Sequence, residues 1–218
     1  MPSLLIDNDV LIKCSCYSIL DQLRGPWEQS GEVGVLGAAR FVVGKYLERR
    51  GTIQDRAAAQ QCFQEYLSSV TILEPTIDEL KLASAIEEAA MLLGVELDSG
   101  ESQLCAIAVF RGSSLLLTGD KRAITAAEKL RRNVAEITAL DGRLICLEQA
   151  VMGVAGRIGI DTVRVRICAE TAVDRSLSIC FECHALGEGR PLDVTGLTSY
   201  IRDLRGQAPT LLYQFDSL

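Results

Sequence analysis

Three acidic residues lie where a parallel sheet would bring them together. Asp7 ends the apolar run LLID, Asp120 ends LLLTGD, and Glu101 stands in LDSGESQL, ahead of the second run. A short, continuously apolar run is what a strand covered on both faces looks like. In an open parallel sheet, ligands gather outside the carboxyl ends of the strands. Three carboxylates at one point repel each other unless a cation neutralises them. Mg²⁺ or Mn²⁺ suits hard oxygen ligands and keeps some of its waters. Such an ion lowers the pKa of a bound water and stabilises charge on a phosphate. Asp9 can share the edge with Asp7. Thr118 can orient Asp120 or a water, and Lys121 and Arg122 can touch phosphate.

Each of these residues also has a plainer role. Asp7 can cap the next helix. Asp98-x-x-Glu101 has the form of a capping box. Asp120 can open a turn, Thr118 can be an ordinary strand residue, and Lys121 and Arg122 can simply be solvated. All three acids together, in this order, are harder to explain as caps. If they form one cluster, Asp120→Asn should leave stability level or raise it, because like-charge repulsion is relieved.

The elements that would position them follow from pattern and punctuation. Residues 3–7 are expected to form a strand, Asp9 to Leu23 a helix stopped by Gly25-Pro26, and residues 34–50 a helix ended by Gly51. A helix over 53–69, a strand over 70–75 ended by Pro75, and a helix from Ile77 to Leu93 stopped by Gly94 follow. A further helix starts at Asp98, a strand covers 113–120, ITAAEKLRR is helical, and 142–148 is a strand. This alternation predicts a three-layer α/β/α domain with a central parallel sheet over residues 1–147. Residues 148–218 lose the strand-then-acid pattern and are expected to be a mostly helical extension. In that stretch a loop falls around 187–191 and a helix over 193–205, stopped by Gly206. TVRVRIC alternates like a strand.

Of the 218 residues, 48% are hydrophobic and 23% charged, which favours a globular chain over a disordered one. No apolar run is long enough to span a bilayer, and MPSLLIDND lacks the basic start of a secretory signal. A cytoplasmic location is the expectation. The eight cysteines then read as buried thiols, none of them in a disulfide. Cys14 and Cys16 fit a structural role. Cys180-Phe-Glu-Cys183-His184 has the form of a c-type haem attachment, but covalent attachment requires export. A zinc site there would need a fourth ligand such as Cys168. The net charge of −7 repels nucleic acid at long range, so any such ligand needs a local basic patch.

LLIDNDVLI, LDSGESQLCAIAV and LLLTGDKRA together resemble the three sequence blocks of PIN domains, including VapC-like toxins. The resemblance covers residues 3–148, and the matching positions are Asp7, Glu101, and Thr118 with Asp120. It implies a ribonuclease-type phosphodiesterase that uses Mg²⁺ or Mn²⁺, with RNA as substrate. It also implies an antitoxin-like protein partner, and the extension offers a surface for homo-oligomer contacts. Such domains usually carry another acid on a helix in the first third. The corresponding helix here is FVVGKYLERR, so Glu48 or Asp9 would have to supply that ligand.

Two rivals remain. LLIDNDV also satisfies the first motif of haloacid dehalogenase-like phosphatases, with Asp7 as nucleophile and Asp9 as general acid/base. That reading leaves Glu101 unexplained and makes one strand serve two motifs. The other rival is a catalytically inactive PIN-like scaffold that binds RNA or protein.

Overall fold

The computed structural model describes residues 2–27, 31–112, 115–187, 192 and 194–214. Among them, five short strands pair in parallel: β1 (Leu4–Ile6), β2 (Val33–Leu36), β3 (Thr71–Leu73), β4 (Leu115–Thr118) and β5 (Leu144–Cys146). Their order is β3-β2-β1-β4-β5. The chain therefore steps outward from β1 in one direction, then returns and steps outward in the other. The reversal falls between β1 and β4, which pair directly through Leu4 with Leu115 and Ile6 with Leu117.

The helices are α1 (Asn8–Cys16), α2 (Ala39–Arg49), α3 (Arg56–Leu67), α4 (Ile77–Leu93), α5 (Ser99–Arg111), α6 (Lys121–Leu130), α7 (Leu147–Ile158), α8 (Ile160–Ala169), α9 (Arg175–Cys180) and α10 (Thr195–Gln207). Turns of 3-10 helix occur at Leu20–Trp27, Ala135–Leu140 and Cys183–Ala185. Right-handed crossovers, the rule for parallel connections, send α1–α3 to one face of the sheet and α4–α6 to the other. The contacts agree. α1 packs on α2 and α3, while α4 packs on α5 and α6. The protein is an α/β fold around an all-parallel sheet, an arrangement consistent with three layers.

Local chemistry explains most boundaries. Thr76 and Glu79 form a reciprocal capping box at the start of α4, and Asp98 and Glu101 form another at the start of α5. Gly94 ends α4 in the left-handed region at φ 63, where a side chain would be strained.

Three expectations are corrected, and the open reading of TVRVRIC is resolved. Residues 34–50 are not one helix, because β2 occupies Val33–Leu36 and α2 starts at Ala39. All four β2 residues are buried, and an apolar run of that kind carries no period to separate strand from helix. The helix expected from Asp9 to Leu23 ends at Cys16, since Ser18 adopts φ 53 and the chain restarts as 3-10 at Leu20. TVRVRIC lies in α8, with Val163 and Ile167 buried four residues apart on one helical face. The last helix runs Thr195–Gln207, straight through Gly206. Residues 113, 114, 188–191 and 193, on which parts of the expected strand, loop and helix fall, lie outside the described residues.

The extension is built into the same core. Val151, Val154, Val163, Leu177, Leu197 and Leu211 are buried in one continuous cluster with Leu5, Leu117 and Ile145. Residues 210–213 run beside β5. The Leu144 N–H donates to the Leu211 carbonyl at 2.9 Å, and the Tyr213 N–H donates to the Leu144 carbonyl at 2.7 Å.

The cysteine expectation fails at one pair. Cys168 and Cys183 are joined as a disulfide, with Cα atoms 5.0 Å apart. The end of α8 packs against the following 3-10 turn and brings the two within bridging reach. Neither sulfur is then available to zinc or haem. The other six cysteines are free, and five of them are buried. Among the described residues no helix is long and apolar enough to cross a membrane.

Candidate functional site

Asp7 follows β1 directly, and Thr118 is the last residue of β4. Both therefore stand at the carboxyl edge of the sheet, on either side of the point where strand order reverses. This is the place where open parallel sheets bind ligands. Asp7 is only 6% exposed. One of its carboxylate oxygens accepts the Asn8 N–H at 2.6 Å and the other accepts the Thr118 hydroxyl at 3.3 Å. Thr118 Oγ1 in turn accepts the Asp120 N–H at 3.2 Å. Gly119 lets Asp9 come close, because a Cβ there would lie 2.1 Å from an Asp9 carboxylate oxygen and the Asp9 side chain would have to shift.

Glu101 is also buried. Its carboxylate accepts the Asp98 N–H at 2.9 Å, which closes the capping box. It lines two spaces. One is a narrow space of about 10 Å³ shared with Asp7 and Thr118, otherwise bordered by apolar residues such as Leu104 and Ile124. That is about the room of one water. The other is an open crevice of about 510 Å³ that also holds Glu96, Asp98, Asp120 and Arg122. Glu101 thus stands between the buried Asp7 and the crevice holding Asp120.

The electrostatics divide the acids into two kinds. Burial pushes the Asp7 carboxyl up to about 6, with the Asp9 charge adding to the effect. Burial pushes Glu101 up to about 8, and Asp98, Asp7 and Asp120 raise it further against the Asp98 N–H hydrogen bond. No protein cation pairs with either among the described residues.

Asp9 and Asp120 are compensated. Asp9 pairs with Lys13 at 2.6 Å, and Lys13 reaches Asp174 at 2.8 Å in the extension. Asp120 accepts the Arg122 N–H at 2.8 Å and its guanidinium at 2.9 Å. Burial works against its charge, but these bonds outweigh it and hold the carboxyl below its usual range. The Asp120 charge is stabilised where it stands by Arg122, which works against the expected gain in stability from Asp120→Asn, while its repulsion of Glu101 works for it.

The remaining candidates separate clearly. Lys121 pairs with the buried Glu148 at 2.5 Å and lies 4.2 Å from the Tyr200 ring centroid, so its charge is already engaged. Arg122 is held by Asp120 and Glu96. Glu48 is exposed, nine residues beyond Ala39, the start of α2 (48 − 39 = 9), or about 14 Å along the helix axis. The structure does not bring it to the edge. Three residues of the edge escaped sequence reasoning: Lys13, Glu148 and Asp174. Lys13 had a signal, its i,i+4 spacing from Asp9. Glu148 repeats the acid-after-strand pattern in LICLE. Asp174 had none, since only the fold brings it there.

A divalent ion suits the chemistry of Asp7 and Glu101, two buried carboxylates with no countercharge. Among the described residues, however, no group of three or more His, Cys, Asp and Glu side chains is arranged to hold one. No family model matches the chain, and no curated protein or solved structure matches it either.

Proposed function

We propose that the protein is a PIN-like, metal-dependent phosphodiesterase of the ribonuclease type. Asp7, Glu101 and Asp120 would hold Mg²⁺ or Mn²⁺, and the substrate would be RNA. The observation that carries this reading is the pair of uncompensated carboxylates, Asp7 and Glu101, buried at the reversal point between β1 and β4. Burial without a cation raises both carboxyls, and a bound divalent ion would displace their protons and stabilise the charged forms. A bound divalent ion would supply a water of lowered pKa and a positive charge beside the phosphate. The chain's own part is to orient and to exclude water. Thr118 fixes the rotamer of Asp7, the apolar walls around Leu104 and Ile124 keep bulk water out, and Glu101 stands at the open crevice where a phosphodiester can enter.

One observation favours a second reading, the inactive scaffold. Lys13 and Arg122 already neutralise Asp9 and Asp120, as a metal would.

Calorimetry with Mn²⁺ at pH 8, paired with cleavage of single-stranded RNA, separates the two. The nuclease reading expects Mn²⁺ binding, cleavage lost with chelator, and both lost in Asp7→Asn and Glu101→Gln. Absence of both in the wild-type protein would overturn it in favour of the scaffold. Turnover of a phosphomonoester instead, lost in Asp7→Asn, would point to the phosphatase chemistry.

A further inference from the structure

α2 carries a surface that its position on the fold does not explain. Its inward face is Ala39, Val43 and Leu47, four residues apart and fully buried. A helix packed by one such stripe is expected to turn polar residues outward. Here Phe41 is 71% exposed, and Val42 and Tyr46 are exposed beside it. Cations flank the rings. The Arg40 guanidinium lies 5.6 Å from the Phe41 centroid, and that of Arg50 lies 5.5 Å from the Tyr46 centroid. Lys45 and Arg49 follow Phe41 at four-residue spacing and are also exposed.

The charge is segregated as well. From Arg40 to Arg50 there are four cations (Arg40, Lys45, Arg49, Arg50) and one acid, Glu48, for a net +3. The whole chain carries −7, so the rest carries −10 (−7 − 3 = −10). Among the described residues none of these four cations takes part in a salt bridge, although most cations at the sheet edge do. α2 begins three residues after β2 ends, and β2 is the neighbour of β1. Its first turn therefore lies about one strand spacing from the edge that holds Asp7.

We propose that this outward face of α2 binds single-stranded nucleic acid, with Phe41 and Tyr46 stacking on bases and Arg40, Lys45, Arg49 and Arg50 on the phosphates. The combination fits that ligand. Exposed rings interleaved with cations that carry no salt bridge recognise unstacked bases and a polyanionic backbone without sequence preference. An apolar protein partner would match the rings but leave four cations facing it. A basic patch also answers the long-range repulsion that an acidic chain exerts on nucleic acid. The role of this surface as a feeder of substrate to the sheet edge rests on the nuclease reading above, but the binding itself does not.

The test is fluorescence anisotropy of a labelled oligouridylate of about twelve nucleotides, in chelator, over a series of salt concentrations. The intact protein should bind, with affinity falling as salt rises. Lys45→Gln/Arg49→Gln should weaken binding at least tenfold and flatten the log–log salt slope by about 1.4, two phosphate contacts' worth. Phe41→Ala/Tyr46→Ala should weaken it by at least about thirtyfold, two stacked bases' worth. Lys81→Gln, an exposed lysine on α4, should bind as the wild type does. Thermal melts by circular dichroism confirm that each variant is folded.

Because binding is read in chelator, where metal-dependent cleavage cannot proceed, the measurement separates the surface from the catalytic reading. Unchanged affinity in both α2 variants would overturn the proposal even if the protein cleaves RNA. So would an equal loss in Lys81→Gln, or no binding by the wild type.

Discussion

The Thr118 hydroxyl donates to the Asp7 carboxylate while accepting the Asp120 backbone N–H, so one oxygen ties the ends of β1 and β4 together. Thr118→Val keeps the shape and removes both bonds. The Asp7 carboxylate loses a donor in a buried place, and the Asp120 amide loses its acceptor. The expected cost is about 1–3 kcal/mol, a drop in melting temperature of about 2–12 °C for a chain of this size. The Asp7 carboxyl should also rise above 6, which NMR titration of selectively labelled aspartate would detect.

Stability should fall as pH rises between about 4 and 8 in the absence of divalent ions. Asp7 and Glu101 have folded values above their unfolded ones, so both states are protonated below about 4. Above 4 the unfolded state releases these protons first, and the fold loses stability until the folded values of about 6 and 8 are passed. For Asp7 alone the displacement of roughly two units corresponds to about 3 kcal/mol. Asp120, Asp174 and Glu79 have lowered values and act in the opposite sense, but only at and below their ordinary range near 4. Urea midpoints in chelator from pH 4.5 to 8.5 should decline, and Glu101→Gln should flatten the upper half of the curve. A midpoint that rises across this window would refute the assignment.

Lys13→Met should destabilise the fold by about 3 kcal/mol. It leaves Asp9 and Asp174 facing each other without their shared cation, in a place where Lys13 is only 15% exposed. Asp174 caps α9, so losing this tie should also loosen the extension. Limited proteolysis should then cut faster between residues 170 and 187, with the sheet left intact.

Alkylation under denaturing, non-reducing conditions should label six thiols of eight, sparing Cys168 and Cys183. Cys168→Ser/Cys183→Ser should cost about 3 kcal/mol, the loop-closure value for a fifteen-residue separation. Eight labelled thiols in the untreated protein would rule the bond out.

Much of the fold was legible because the strands bearing the acids are short apolar runs with a charge at one end. β1, β4 and β5 announce themselves that way, and α4 and α5 announce themselves by capping boxes and terminal glycines. β2 was hidden because VGVL is followed within three residues by a helix of similar composition. At the site, the positions of Asp7, Glu101, Thr118 and Asp120 were readable from order alone. Their charge states were not. Whether an acid is compensated depends on a lysine one helical turn away, as with Asp9, and on whether that lysine is shared, as Lys13 is with Asp174, 165 positions beyond Asp9 (174 − 9 = 165). The Cys168–Cys183 bond was illegible for the same reason, since spacing gives no direction in space.

The pairing of residues 210–213 with β5 sets a clock on synthesis. β5 leaves the ribosome about 65 residues before Leu211 does (211 − 146 = 65). At about 5–20 residues per second, roughly 3–13 seconds pass in which one side of β5 has no backbone partner from its own chain. Leu144, whose N–H and carbonyl are both taken by this later segment, is in that interval an open invitation to a neighbouring nascent chain. Slower translation through the extension would lengthen the exposure. The yield of monomeric protein should therefore depend on codon choice between residues 147 and 210, although no residue in that stretch would have changed.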